Sequence, residues 1–523
     1  MNQIQSIISS GKSLNKILLQ LLSTLENQSD ESQKKIYSEL AKYDFLKFHF
    51  STQRQCYIDL LNMNHDSSIL EIGASSGLLT NYMGKSYKKV VAIEENPALA
   101  EIALTRCDKQ KNIFIYNKNI ESFSPTEKFD YIVFTADLEQ LKIEKKSFIY
   151  ISNIMKNIPR LCSEKTILIL SFPNYPSIYT LSGRSNNQLF LEFFSRMELG
   201  EKDLETYLKG YRFNYFQTYY AYPCNIYPLA VFSKEVDNIK IRNFGYWAYT
   251  ASKISDKKIP NLIMAGEIAR KGLIGQLANA FILKASIGNN KVTSNKLVEA
   301  YTINGVRHDD FHCVTIAYQT KNEIFVKKRG KEFTGKYFSF IPNETNPLFR
   351  GISLDQAFLS IVNSGDIDHL NKICDNYISS LINHFYFQKK DDNKTVLLSG
   401  KAFDAIPRNT IKSNGQFYYF DLEWRTNFPI PIQLILFRTF HYISELISPK
   451  DIIHKLRLRN YHIKNINDLI RVMINVTNQS FSVTKQDVTD YNHLEKRFID
   501  FATKGNDNLL KETDFEKELI YYS

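Results

Sequence analysis

Apolar residues recur at two different spacings along the chain, and the change of spacing divides it into regions. In the first sixty residues they recur every three or four positions, as in Ile17, Leu18 and Leu21, which predicts amphipathic helices. From Ser67 onward, short β-branched runs alternate with helical stretches, which is typical of βαβ units around a parallel sheet. The runs predict five strands, at residues 69–72, 90–93, 113–116, 131–134 and 166–170.

The rest of the chain changes pattern several times. A stretch rich in tyrosine and phenylalanine, residues 213–222, precedes a helical pattern over residues 264–286. A second β-rich part, residues 313–340, is followed by further helices. At about 150 residues per domain, 523 residues suggest about three domains. The predicted organisation is a helical segment (1–60), an α/β domain (61–235), a connecting helical region (236–310) and a C-terminal mixed α/β domain (311–523).

The first predicted strand runs into a turn that suits a nucleoside cofactor. Its sequence is Glu71-Ile72-Gly73-Ala74-Ser75-Ser76-Gly77, and glycine is used where the chain turns sharply and a ligand approaches the backbone. Glu94 ends the second strand, where a carboxylate can accept both ribose hydroxyls of an adenosine. Ser75 replaces the second glycine of the dinucleotide fingerprint, which disfavours a nicotinamide dehydrogenase.

The acidic residue before this turn resembles the Glu/Asp-x-Gly-x-Gly-x-Gly motif of class I S-adenosylmethionine-dependent methyltransferases. Asn119-Ile120 lies where that family frames the adenine, and residues 129–133 are similar to its fourth strand. The resemblance implies a Rossmann-like fold with S-adenosylmethionine as cofactor. It implies that the cofactor is bound by Glu71, Gly73, Ser75, Gly77, Glu94, Asn119 and Ile120.

Two carboxylates follow the fourth strand, at the sheet edge where open α/β folds bind their ligands. Asp137 and Glu139 are therefore the candidate catalytic bases that would take a proton from a hydroxyl acceptor. The alternative is that either residue is simply a solvated loop carboxylate.

Two methyltransferase groups offer different acceptors. Residues 70–73 and 91–94 are also similar to the ribosomal RNA adenine dimethylases, which clamp the target base with an Asn-x-Pro-Tyr loop after the fourth strand. Here Thr135-Ala136-Asp137-Leu138 offers no such clamp, so base methylation is disfavoured. Residues 171–174 and 228–233 resemble a bacterial methyltransferase group found with glycosyltransferases in cell-surface polysaccharide synthesis. That resemblance implies a glycan or glycolipid-precursor acceptor and glycosyltransferase partners, and it would let residues 213–222 stack on sugar rings. The alternative is that these aromatic residues belong to a tyrosine-rich core.

Charge and composition make some partners, locations and ligands less favoured. The net charge is +11, but the lysines are spread along the chain, so nucleic acid is not a favoured partner. No apolar run near the N-terminus is long enough for a signal peptide or a transmembrane helix, which predicts a cytoplasmic protein. The six cysteines form no Cys-x-x-Cys pair, so a zinc site is not expected.

A second set of residues in the C-terminal half has the spacing of a phosphotransferase of the protein-kinase type. Asp404 and Asn409 are five residues apart, and Asp421 follows an apolar strand. Lys327 lies on a predicted strand that can carry the phosphate-binding lysine. The region resembles aminoglycoside-phosphotransferase-like folds. This implies magnesium-ATP as a ligand, with magnesium held by Asn409 and Asp421.

The same region departs from the kinase pattern in two ways. No glycine-rich loop precedes Lys327, and no histidine precedes Asp404. An active kinase, an inactive kinase-like scaffold and an acceptor-binding domain all remain open. The overall expectation is a methyltransferase acting on a cell-surface glycan or its precursor. The alternatives are a protein methyltransferase, a bifunctional methyltransferase and kinase, and a non-catalytic cofactor-binding scaffold.

Overall fold

The computed structural model divides the chain into two compact units. Unit 1 contains residues 1–235 and 275–301, and unit 2 contains residues 236–274 and 302–523. Apart from single residues, the structure describes residues 12–25, 44–51, 55–61, 63–135, 147–174, 201–222, 228–234, 271–273, 275–288, 298–303, 309–311, 313–319, 324–347, 351–389 and 396–504.

Unit 1 begins with helices, as the spacing of its apolar residues predicts. Those that the structure describes over most of their length are α1 (Leu14–Leu25), α2 (Asp44–Phe50) and α3 (Cys56–Leu61). Helix α1 buries Ile17, Leu18 and Leu21 in a cluster that also contains Ile102 of a later helix. Its apolar face is therefore satisfied by packing within unit 1.

The α/β part of unit 1 follows in the predicted order. Its elements are β1 (Ser68–Ile72), α4 (Leu78–Ser86), β2 (Lys89–Ile93), α5 (Pro97–Cys107), β3 (Ile113–Tyr116), β4 (Tyr131–Thr135), α6 (Ser147–Leu161), β5 (Ile167–Pro173), α7 (Glu201–Lys209), β6 (Tyr215–Tyr222), β7 (Ala230–Ser233) and β8 (Ala280–Ser286). The strands lie in the order β7-β6-β8-β5-β4-β1-β2-β3. Strands β1 to β5 are parallel, so the five-stranded sheet predicted from the β-branched runs is confirmed.

Strand β8 corrects the helical prediction for residues 264–286. Ala280–Ser286 is a strand that is buried along its whole length, and it pairs antiparallel with both β5 and β6. A continuous apolar run fits a buried strand and a buried helix equally well in sequence. Here the two neighbouring strands satisfy its backbone groups on both sides.

Strand β6 corrects a second expectation. Tyr219, Tyr220 and Tyr222 are almost completely buried, and Phe213 just before the strand is buried as well. These rings pack inside unit 1, as in the stacked pair of Tyr222 and Phe232. They are therefore core residues and do not provide the sugar-stacking surface that the sequence suggested.

Strand β8 also carries a buried lysine. The Lys284 ammonium donates to the carbonyl oxygen of Leu61, the last residue of α3, at 3.4 Å. Desolvation by burial lowers the pKa of Lys284 to about 8. An amine with this pKa is protonated less readily in the folded protein than in the unfolded chain.

The stability of unit 1 should therefore rise with pH above the folded pKa of Lys284. Between pH 8 and 10 the unfolded chain still binds the proton while the folded one loses it, so the free energy of unfolding should increase by about 2 kcal/mol. Urea unfolding at both pH values, followed by hydrogen exchange of β8, measures this. Lys284→Met should abolish the increase, and Lys165→Met, at an exposed position, should keep it.

Unit 2 combines short sheets with packed helices. The boundary strand β9 (Val298–Ile303) is followed by a 3-10 turn at Asp309–Phe311 and by β10 (Cys313–Gln319), β11 (Ile324–Gly330), β12 (Phe333–Thr334), β13 (Phe338–Phe340), β14 (Thr345–Pro347), β15 (Ile352–Ser353), α8 (Leu354–Ser364), α9 (Ile367–Phe385), β16 (Tyr386–Lys389) and β17 (Val396–Leu398). Next come 3-10 turns at Gly400–Asp404 and Pro407–Asn409, then β18 (Thr410–Ser413), β19 (Gln416–Tyr419), β20 (Trp424–Thr426) and β21 (Ile430–Pro431).

Helices complete unit 2 and cover its small sheets. They are α10 (Ile432–Leu446), α11 (Pro449–Lys455), α12 (Ile466–Thr477) and α13 (Lys485–Lys504), with 3-10 turns at Leu458–Asn460 and Gln479–Phe481. An aromatic core joins the sheets to α13 through Phe338, Trp424 and Phe498. In the part of the chain that the structure describes, every helix is too short or too polar to cross a lipid bilayer.

Candidate functional site

The turn after β1 has the backbone geometry that a bound nucleoside requires. Gly73, Ser75 and Gly77 all have positive φ angles, of 78°, 51° and 73°. The amide groups of Gly73 and Ala74 donate to the carbonyl oxygen of Ile93 at 2.9 and 3.1 Å. These bonds fix the turn to the end of β2, and the left-handed residues keep side chains out of the way of a ligand.

Glu94 lies beside this turn, as the sequence predicts. Its carboxylate accepts from the amide groups of Ser75, at 2.7 Å, and of Asn96, at 3.0 Å. The Asn117 side chain donates to the Glu94 carbonyl oxygen at 2.9 Å. An ionised carboxylate accepts hydrogen bonds at both oxygens, so the Ser75 and Asn96 amides orient the Glu94 side chain beside the turn.

Glu71 occupies a different position from Glu94. Its side chain is buried and accepts from the Thr80 hydroxyl of α4 at 2.5 Å. The structure therefore joins Glu71 to the helix that begins at Gly77. Its predicted contact with the cofactor remains a prediction.

Gly77 lets helix α5 pack directly on the turn. A Cβ atom at this position would lie 2.9 Å from the Cα atom of Ala103. Arg106 of the same helix donates to the Ser76 carbonyl oxygen at 2.9 Å and to the Ser76 hydroxyl at 3.1 Å. Packing of α5 thus holds the turn from behind, opposite the side that a ligand would approach.

The remaining predicted site residues divide into two groups. Asn119 is exposed, and its side chain accepts from the Ser122 amide at 2.9 Å, whereas Ile120 is buried after β3. Both follow the third strand, as predicted. Asp137 and Glu139 lie outside the described residues, so their catalytic role stays a prediction.

A comparison with family models gives a match over residues 42–167, which contain β1 to β4 and the turn. The matching family is described as ribosomal RNA adenine dimethylase. This is an S-adenosylmethionine-dependent methyltransferase domain. The match supports the methyltransferase class and its cofactor. Because it covers less than half of the chain, it does not establish an RNA acceptor.

Solved structures of methyltransferases resemble the methyltransferase domain only distantly. N-methyltransferase NodS from Bradyrhizobium japonicum WM9 is 18% identical over 34% of this chain and 89% of its own length, with a TM-score of 0.25. A TehB-like methyltransferase from Corynebacterium glutamicum is 14% identical over 35% of this chain and 85% of its own length, with a TM-score of 0.24. A comparison with curated proteins gives no match.

The importance of Glu94 can be tested by removing its side chain. Glu94→Ala should weaken binding of S-adenosylmethionine to the methyltransferase domain by about 2 kcal/mol, or roughly thirtyfold, because charged hydrogen bonds to the ribose are lost. Isothermal titration calorimetry measures the affinity. Glu101→Ala, at an exposed position on α5, should bind the cofactor as the native protein does. Equal affinity in both variants would rule out Glu94 as the ribose ligand.

Unit 2 contains a second cluster of charged residues. The Lys328 ammonium forms ion pairs with Asp421 and with Glu423, the latter at 2.5 Å. Glu423 is 2% exposed and also accepts from the Cys313 thiol. Lys327, which the sequence singled out, is exposed on the other face of β11 and does not reach this cluster. Sequence alone does not show which of two adjacent lysines points inward.

The structure brings Asp404, Asn409 and Asp421 together as predicted. The Asn409 side-chain amide donates to the carbonyl oxygens of Asp404, at 2.9 Å, and of Asp421, at 3.3 Å. Burial, followed by the nearby charge of Glu423, raises the pKa of Asp404 to about 7.

These residues line a cavity of 260 Å³ within unit 2. Asp404, Asn409, Asp421 and Glu423 form one part of its wall. Helices α10 and α13 supply another part, which includes the buried ion pair of Arg438 with Glu495 at 2.8 Å. The cavity therefore combines acceptor oxygens with enclosing walls.

Proposed function

We propose that the protein transfers the methyl group of S-adenosylmethionine to a hydroxyl or amine of a cell-surface glycan or its precursor. The observation that carries the cofactor assignment is the Glu94 carboxylate fixed beside the left-handed turn. Ser75 and Gly77 keep the turn open, and Glu94 would accept the ribose hydroxyls. The cofactor supplies an activated methyl group with a good leaving group, so the protein must chiefly align the acceptor and take up its proton.

Two observations favour a glycan over an RNA base as the acceptor: a base-clamping sequence is missing after β4, and the Asn174 amide already has backbone partners. No Asn-x-Pro-Tyr sequence follows β4, although the matching family model is that of a ribosomal RNA methylase. Asn174 belongs to the sequence Pro-Asn-Tyr after β5. Its amide donates to the carbonyl oxygens of Gln276 and Ala278 at 2.9 and 3.0 Å. An amide held in this way is not available to clamp a base. Residues 171–174 and 228–233 supply the resemblance to polysaccharide-associated methyltransferases.

Transfer of a labelled methyl group tests the acceptor. The protein and radiolabelled S-adenosylmethionine are added to a cell extract, which is then separated into glycan, protein and RNA. Label in glycan that is absent with Glu94→Ala would support the proposal. Label in RNA or protein would show that the acceptor is not a glycan, and the methyltransferase class would still hold. Label in none of the fractions would favour a cofactor-binding scaffold.

We assign the proton acceptor to Asp137, which follows the strand whose carboxyl end faces the cofactor turn. Asp137→Asn should reduce transfer to a hydroxyl acceptor by at least a hundredfold and leave cofactor affinity unchanged. Glu139→Gln serves as the matched control. Loss of activity in the control alone would move the role to Glu139.

A second candidate function is magnesium-dependent phosphoryl transfer in unit 2. The observation that favours it is the cavity lined by Asp404, Asn409 and Asp421, with Lys328 paired to Asp421. Asn409 and Asp421 would hold magnesium, Lys328 would contact a phosphate, and Asp404 would orient the acceptor hydroxyl. Among the described residues no group of three or more His, Cys, Asp or Glu side chains forms a complete metal site. A magnesium ion can be held by fewer protein ligands than this, because phosphate oxygens and water commonly complete its coordination.

Binding of magnesium-ATP, measured by calorimetry, tests this candidate. The native protein should bind magnesium-ATP, and Asp421→Asn should weaken binding at least tenfold. Lys327→Met should have no effect, since that lysine is exposed outside the cluster. A native protein that fails to bind magnesium-ATP would leave unit 2 as a scaffold or an acceptor-binding domain.

A further inference from the structure

Unit 2 contains a second, larger cavity that no proposed reaction uses. It has a volume of 830 Å³, within the roughly 300–1,000 Å³ that small-ligand sites occupy. Helix α9 forms one wall, strand β19 of the β18–β19 hairpin with the turn before it forms another, and Arg425 also lines the cavity. It shares no lining residue with the 260 Å³ cavity of Asp404 and Asp421. The two cavities are therefore separate sites.

The wall formed by α9 is mostly polar and contains no Asp, Glu, Lys or Arg side chain. Phe385 at the end of the helix also lines the cavity, and the polar lining residues recur every three or four positions: Asn376, Ser379, Ser380, Asn383 and His384. The last three turns of α9 contain no Asp, Glu, Lys or Arg, although the exposed face of a surface helix usually carries such residues. Lys372 and Asp375, which precede this part of the helix, are exposed charged residues and do not line the cavity.

The hairpin supplies aromatic side chains in fixed positions. The Tyr419 hydroxyl donates to the Ser380 hydroxyl at 2.9 Å, and its ring packs edge-on against His384. The Tyr418 hydroxyl donates to the side-chain oxygen of Gln416 at 3.0 Å. Both tyrosines line the cavity, and these contacts hold Tyr419 against α9 and Tyr418 against its own hairpin.

This combination of groups matches one class of ligand. Amides and hydroxyls both donate and accept, as a ligand rich in hydroxyl groups requires, and aromatic rings pack against its C–H faces. Lys401 and Arg425 are the lysine and arginine in the lining, and Arg425 is paired with Glu344 at 2.5 Å. A polyanion such as a nucleic acid would call for more basic residues. We infer that this cavity binds an uncharged oligosaccharide, which is a segment of the acceptor if the proposed glycan function holds.

Direct binding tests the inference without any methyl transfer. The full chain is presented to a panel of fluorescently labelled oligosaccharides made of neutral hexoses, N-acetylated sugars or uronic acids, and affinity is measured by fluorescence polarisation. The double variant Asn376→Ala/Asn383→Ala removes two amides at exposed positions, so the fold should be kept, which circular dichroism checks. Lys372→Ala on the same helix is the matched control.

We expect the native protein and Lys372→Ala to bind a neutral or N-acetylated member, and the double variant to bind it at least tenfold more weakly. Equal binding by the double variant, or no binding of any member, would overturn the inference. Binding confined to uronic acids and lost in Lys401→Ala would overturn the uncharged class. If a glycan binds here but is never methylated, the proposed methyl acceptor would be wrong, and the oligosaccharide-binding site would still hold.

Discussion

Replacing Lys328 by methionine is expected to lower the free energy of unfolding of unit 2 by about 4 kcal/mol. The Lys328 side chain is mostly buried and pairs with both Asp421 and Glu423. Removing its charge leaves two carboxylates facing each other without a counterion, beside the buried Asp404. Uncompensated buried charge is among the most destabilising changes that a single substitution makes.

The adjacent lysine provides the control for this prediction. Lys327→Met changes the same residue type on the same strand, but its side chain is exposed, so the effect should stay within about 0.5 kcal/mol. Urea unfolding followed by hydrogen exchange of peptides from unit 2 measures both variants. Similar losses in the two would mean that the strand does not direct Lys328 into the cluster.

Replacing Gly77 by valine is expected to destabilise unit 1 by about 4 kcal/mol. The residue has a φ of 73°, which a β-branched side chain rarely adopts, and its Cβ atom would come within 2.9 Å of the backbone of α5. The free-energy costs of backbone strain and of overpacking therefore add in this variant. Helix α5 would have to move away from the turn that Glu94 supports, so cofactor affinity should fall as well.

Gly415 separates the two contributions in this prediction. Its φ is 80°, and nothing lies within 4 Å of the place where its Cβ atom would be. Gly415→Val therefore carries the backbone strain without the collision, and about 2 kcal/mol is expected. Hydrogen exchange of the unit that contains each glycine reports the loss. Equal losses in both variants would show that close packing of α5 on Gly77 contributes nothing.

The cavity of α9 and the cluster of Lys328 give unit 2 two separate chemical environments. One contains amides, hydroxyls and aromatic rings, and the other contains carboxylates around a lysine. Oligosaccharide binding to the first and magnesium-ATP binding to the second are independent measurements.

The sequence by itself determined the five parallel strands and the cofactor turn. These features depend on local rules, because β-branched runs favour strands and the parallel sheet places the ends of β1 and β2 side by side. Gly73 therefore meets Ile93, and Ser75 meets Glu94, although about twenty residues separate the members of each pair. The spacing of Asp404, Asn409 and Asp421 likewise brought those residues together, since short turns and hairpins connect them.

Only the tertiary structure decided the features that depend on distant partners. Ala280–Ser286 is a strand because β5 and β6 pair with it on both sides, whereas its apolar sequence fits a helix as well. Tyr219, Tyr220 and Tyr222 of β6 are core residues because other elements of unit 1 cover them. Lys328 points into the cluster and Lys327 away from it because side chains alternate along a strand, and packing selects which face is covered.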